Sequence, residues 1–250
     1  MSFQKLSKHA INLFPMVLLL AGCAGTVPVV KSADTYFKEG EEFYASHNYE
    51  DAIAQWKKVK ETFSSPELST LADLKIADAY FDNHSYIEAA AAYEDFRKLH
   101  PNHEKAAYAL YRLGLCNYEQ ITGIDTDQTP VKNAVNLFES FLKQYPKSEY
   151  AAEVKEKLDD CMMKQIQYEN YVGRFYLRTE KYAAAIKRLE EALQKYPNAE
   201  AHDETLYYLG KAYFLSGDKV KGRETFNRLA KQYASSKYVE EAKRVMEKYY

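Results

Sequence analysis

The feature that most constrains this chain is a spacing. A small residue is followed twelve positions later by a second, and twelve later again by proline: Ala77, Ala89, Pro101, then Gly173, Ala185, Pro197. Gly40 and Ala52 open the same pattern with Pro66 two residues late, and Gly210 and Gly222 close it with Ala234 in the proline slot. Gly114 and Ala134 lie twenty apart, while Ala134 to Pro146 is again twelve. Self-similarity at a fixed period marks a repeat architecture, in which each unit buries its apolar face only against its neighbours. Two antiparallel helices that cross closely need small residues at the crossing, and a proline beyond the second helix ends it. Apolar residues stand four and seven places after the second small slot: Trp56 and Val59, Tyr93 and Phe96, Phe138 and Phe141, Leu189 and Ala192, Phe226 and Leu229. That is one face of a helix.

Five such units predict an all-α solenoid of five helix pairs, about ten helices, and the pattern resembles the tetratricopeptide repeat of about 34 residues. Only 9 glycines and 7 prolines occur among 250 residues, which excludes collagen-like, low-complexity and turn-rich all-β chains. Two departures from the period matter. Repeat three is eight residues longer than the period between its helices, and the extra length falls in the polar stretch 121–130, with Asp125 and Asp127 in it. From Lys147 to Val172 there is no proline or glycine, which predicts one long helix over about Glu149–Arg178. It would link two lobes, residues 33–146 with repeats one to three and residues 147–250 with repeats four and five.

The amino terminus reads as an address. Lys5 and Lys8 precede a mostly apolar run from Ile11 to Ala21, too short to span a bilayer. It ends in Leu20-Ala21-Gly22-Cys23, which resembles a bacterial lipobox. Residues 1–22 are then a cleaved signal peptide, Cys23 carries the lipid, and residues 23–32 form a tether. Ala24 after the cysteine resembles the outer-membrane sorting signal of enterobacterial lipoproteins. Several acyl chains anchor stably where one does not, at about 0.8 kcal/mol per buried methylene. No later stretch approaches 18 consecutive apolar residues, so the remainder is expected to be soluble. Cys116 and Cys161 either pair in an oxidising compartment or stay as buried free thiols.

No enzyme constellation is legible: no Gly-rich phosphate loop, no nucleophile elbow, no zinc-binding HExxH. No cofactor or metal is expected, and the His100/His103 pair around Pro101 reads as a solvated turn. A formal charge of −2 gives no basic excess for nucleic acid. The informative surface is the concave one, lined by the first helix of each pair. Register places Phe37, Tyr44, Leu74, Phe81, Tyr108, Tyr111 and Tyr118 there, an aromatic and mildly acidic groove that would take an extended peptide with aromatic side chains. Part of that set would instead pack between helices.

A lipobox followed by five such repeats resembles the BamD family of lipoproteins in outer-membrane β-barrel assembly. The resemblance rests on Tyr145-Pro146-Lys147-Ser148-Glu149-Tyr150-Ala151, on Asp127-Gln128-Thr129, on Tyr182 to Arg188 before Tyr196-Pro197, and on His100 to His103 with Tyr108 to Gly114. It implies a non-enzymatic periplasmic scaffold anchored in the outer membrane. Its partners would be the periplasmic domains of BamA, held by the C-terminal repeats, other lipoproteins of that machinery, and unfolded outer-membrane proteins at the N-terminal repeats. Arg188 is the residue expected on the BamA side, with Asp127, Gln128 and Thr129 as a second surface; an internal salt bridge is the other reading of Arg188. Thr126 stands where the family usually has arginine, and Lys187 where it usually has asparagine. The competing function is a pilotin-type lipoprotein that escorts secretin subunits; the insertion and the long helix favour the former.

Overall fold

Space explains the small slots. A Cβ on Gly173 would stand 2.8 Å from the Leu189 side chain, and on Gly40 or Gly114 it would overlap the rings of Trp56 and Phe138. Each of those large residues lies four places after the second small slot of its own repeat, so the period in sequence is a contact in space. The computed structural model describes residues 31–62, 65–197 and 202–249. The lipobox, with Cys23, lies outside the described residues, as do the signal peptide and most of the tether.

The helices come in pairs: α1 (Ala33–Ala45) with α2 (Tyr49–Glu61), α3 (Pro66–Asp82) with α4 (Tyr86–Leu99), and α5 (Ala106–Glu119) with α6 (Thr129–Gln144). They continue as α7 (Ala151–Arg178) with α8 (Tyr182–Lys195), and α9 (Asp203–Ser216) with α10 (Lys219–Gln232). Each helix packs on the next in the chain. The expected long helix is α7, 28 residues from Ala151. Residues Ser32–Tyr250 form one compact unit, and the described residues hold helices but no strand.

Local chemistry sets the ends. Ser32 and Ser65 accept the amides of Thr35 and Leu68, and Asp218 that of Lys221, each a side-chain cap on a first turn. The turn inside a pair needs one left-handed residue, seven places after the first small slot: His47, His84, Glu180 and Gly217, with φ of 58°, 58°, 57° and 94°. Repeat three has its insertion at that place. His47 and His84 each hydrogen-bond the hydroxyl of the tyrosine two residues on, at 2.8 and 2.7 Å. After the second helix, His100, Tyr145 and Tyr196 open to ψ between 52° and 59°, away from the α region that a following proline disfavours.

The eleventh helix, α11 (Lys237–Tyr249), is one more than the five pairs predict. It carries no small-slot period, and so leaves no repeat signal. Tyr238, Val239, Val245 and Met246 cover Tyr207, Phe226 and Leu229, which the last pair would otherwise expose; terminal units of a solenoid need such a cover. Cys116 and Cys161 are free thiols in separate clusters, and burial pushes both up to about 12.

Candidate functional site

The first helices of neighbouring pairs touch one another along the inner side, α1 on α3, α5 on α7 and α7 on α9. At the centre of that side stands Arg112 of α5, with only 17% of its side chain exposed. Its Nε donates to the Tyr93 hydroxyl at 2.9 Å and its Nη2 to Asp82 at 3.2 Å, while the guanidinium lies 3.8 Å over the Phe81 ring. Asp78, one turn before Asp82 on α3, accepts the hydroxyls of Tyr93 at 2.5 Å and Tyr108 at 2.8 Å. Burial raises the Asp78 carboxyl above its ordinary 3.8 despite those donors and the nearby Arg112. Burial and then Asp82 push the Tyr44 hydroxyl up as well.

Three tyrosine–carboxylate bonds stitch consecutive first helices: Tyr44 of α1 to Asp82 of α3, Tyr108 of α5 back to Asp78, and Tyr118 of α5 to Asp160 of α7 at 2.8 Å. Each is charge-assisted, hence stronger than a neutral bond. The aromatic groove expected from register is therefore a surface of half-buried rings whose hydroxyls are already engaged. Phe37 packs against Trp56 at 6.4 Å, and Phe81 meets the Tyr86 ring edge-on at 5.2 Å.

Two of the expected groove residues are corrected. Leu74 and Tyr111 are only 7% and 8% exposed; Leu74 packs between α3, α4 and α5, and Tyr111 stacks on Tyr150 at 4.6 Å. Both stand three places before the first small slot, one turn from the crossing, where the partner helix of the pair covers the side chain. Asn170 and Tyr207 at the same slot are buried too. Register reasoning missed Arg112 and gave Tyr93 only a packing slot, because the bonds they make depend on which side chains meet across helices. It also missed Tyr171 and Phe175 of α7, 40% and 46% exposed and one turn apart on that helix.

The second candidate surface lies on α6 to α8. Arg188 stands with Nε 2.9 Å from Glu169 of α7, so the internal pair weighed from sequence is formed. Burial raises the Glu169 carboxyl, with Arg188 and then Lys195 pulling it down. In the insertion, Asp127 accepts the Thr129 amide at 2.9 Å and hydroxyl at 2.8 Å, which holds its carboxyl below the usual range. Gln128 donates to the Thr126 carbonyl at 2.9 Å.

A family model described as outer membrane lipoprotein (YfiO) matches residues 30–225. The chain belongs to this family. Its relatives include a Rickettsia prowazekii protein 28% identical over 248 residues, covering 98% of this chain and 99% of the relative. A Vibrio cholerae protein is 29% identical over 207 residues, 78% of this chain and 86% of its own. One from Neisseria meningitidis serogroup A is 26% identical over 243 residues, 90% and 91%. All three are described as outer membrane protein assembly factor BamD. The resemblance drawn from the repeats is thus borne out, and membership associates the chain with the outer membrane.

Proposed function

We propose that this chain is an outer membrane protein assembly factor, a non-enzymatic scaffold anchored through lipidated Cys23 on the periplasmic face of the outer membrane. The observation that carries the reading is its family membership over most of the chain together with the shared description of its relatives. The C-terminal repeats hold BamA periplasmic domains through Arg188 and the Asp127–Thr129 surface. The N-terminal inner side takes extended segments of unfolded barrel proteins over Phe37, Tyr44, Phe81, Tyr108 and Tyr118, with Leu74 and Tyr111 supporting from beneath. The half-buried rings offer edges and faces while their bonded hydroxyls hold them in place, so little side-chain entropy is lost on binding.

Depletion in the native host tests the function: loss of many barrel proteins from the outer membrane is expected, whereas loss of secretin multimers alone overturns it. For the groove, photo-crosslinking of an aromatic-rich extended peptide should fall several-fold in Phe81→Glu with the melting temperature kept. Undiminished crosslinking removes the groove from the proposal.

A further inference from the structure

A cavity of about 370 Å³ opens between α9 and the end of α11, walled by Tyr207 and Lys211 on one side and by Glu241, Arg244, Lys248 and Tyr249 on the other. Lys211 stands one turn after Tyr207 on α9, and Lys248 one turn after Arg244 on α11, so three cations from two helices converge on one opening. Among the described residues none of the three is in an ion pair, whereas Lys243, one residue before Arg244, holds Glu240 at 2.6 Å. Among the described residues Glu241 alone brings a carboxylate to the wall. It lies beside the Tyr207 hydroxyl, which burial and then that charge raise to about 12. The Lys211 ammonium lies 5.9 Å from the Tyr207 ring and the Lys248 ammonium 5.4 Å from the Tyr249 ring. Like charges one turn apart on a helix repel. With three cations against one carboxylate, the wall favours an anion.

We propose that this cavity holds the phosphate of an anionic phospholipid headgroup, a second membrane contact at the opposite end of the row from Cys23. Arginine and lysine together take several oxygens of one phosphate, and with tyrosine they are the side chains suited to the boundary between bilayer and water. Val245 and the two tyrosine rings give the glycerol part an apolar wall. The apolar side of α11 already covers Phe226 and Leu229, and no described helix is long and apolar enough to cross a membrane, so the contact stays at the level of the headgroups. The association of the family with the outer membrane supplies the lipid surface. A lone lipid anchor fixes where the chain is held but not how it lies; a contact on the last repeat keeps the row along the membrane. That consequence rests on the anchoring proposed above, while the chemistry of the cavity does not.

Vesicle binding by the mature chain with Cys23→Ser tests the inference without the anchor. The whole chain has a formal charge of −2, and the signal peptide removes Lys5 and Lys8, so general attraction to an anionic surface is absent and binding has to be local. Co-sedimentation with phosphatidylcholine vesicles containing phosphatidylglycerol should exceed that with phosphatidylcholine alone by roughly tenfold or more, and fade as salt rises. Lys211→Gln, Arg244→Gln and Lys248→Gln should each weaken it about fivefold. Lys219→Gln and Lys231→Gln remove the same charge from exposed places on α10 and should leave it unchanged. The melting temperature of the cavity variants should hold or rise, because repulsion is relieved. Equal sedimentation with both kinds of vesicle, or equal losses in the α10 variants, overturns the inference. So does loss of a co-purifying protein in the cavity variants with vesicle binding kept, which would assign the face to a protein. Inorganic phosphate separates the remaining sources: shifts of the Arg244 and Tyr249 resonances without vesicle binding would make this a small-anion site and overturn the inference too. Each of these failures leaves the assembly-factor reading standing, since depletion of the chain tests that separately.

Discussion

Arg112 carries more of the inner side than any other residue. It is a mostly buried cation between two carboxylates, Asp78 and Asp82, and its fork also reaches Tyr93. Removing one partner of such a set leaves charge buried and unpaired, which costs about 3–5 kcal/mol. Arg112→Met should lower unfolding stability by about that amount in a denaturant titration, and adding Asp82→Asn should recover part of the loss. Asp78 predicts a pH dependence of its own. Its folded value lies above its unfolded one, so the folded state binds the extra proton first on acidification. Its ionised form therefore opposes folding at neutral pH, and that opposition fades as pH falls through the window just above 3.8. The stability of Asp78→Asn relative to the parent should accordingly be highest at neutral pH and decline on acidification. A difference independent of pH would remove burial as the dominant influence on Asp78.

At the scale of elements, much was legible and some was not. The small slots, the pairs they join and the 28-residue α7 all followed from spacing, because one contact, a small residue against a large apolar side chain, recurs in the four repeats whose first slot is glycine. Register also placed Tyr44, Phe81, Tyr108 and Tyr118 on the inner side. It misplaced Leu74 and Tyr111 because a period fixes the face of a helix but not how far the partner helix wraps over it. The Tyr–Asp stitches join residues 30 to 42 apart in the chain, separations that no local pattern encodes. Helix α11 escaped notice because covering an end requires apolar residues without a repeat. Truncation before Lys237 would uncover Tyr207, Phe226 and Leu229, at about 25 cal/mol per Å² of apolar surface returned to water. The truncated chain should melt several degrees lower and bind a hydrophobic dye; unchanged melting would mean that α11 covers nothing that matters.

As a whole the molecule is a row of neighbours, so stability accumulates through interfaces and its ends have one interface fewer. Amide hydrogen exchange should be slowest in α5 to α8 and fastest in α1 and α11; equal protection of α1 and α7 would contradict a nearest-neighbour row. Helix α7 runs roughly 42 Å at 1.5 Å per residue. Its first half receives Tyr118 through Asp160, its second half Arg188 through Glu169, so both candidate surfaces rest on one element. The two buried thiols add a practical consequence. A thiol held near 12 and shielded from solvent reacts with alkylating reagents only after its surroundings open. Cys116 sits with α3 and α4, Cys161 with α6 and the start of α7. Each is a clock for a different stretch of the row, and the ratio of their labelling rates reads whether the solenoid opens from one end or all at once.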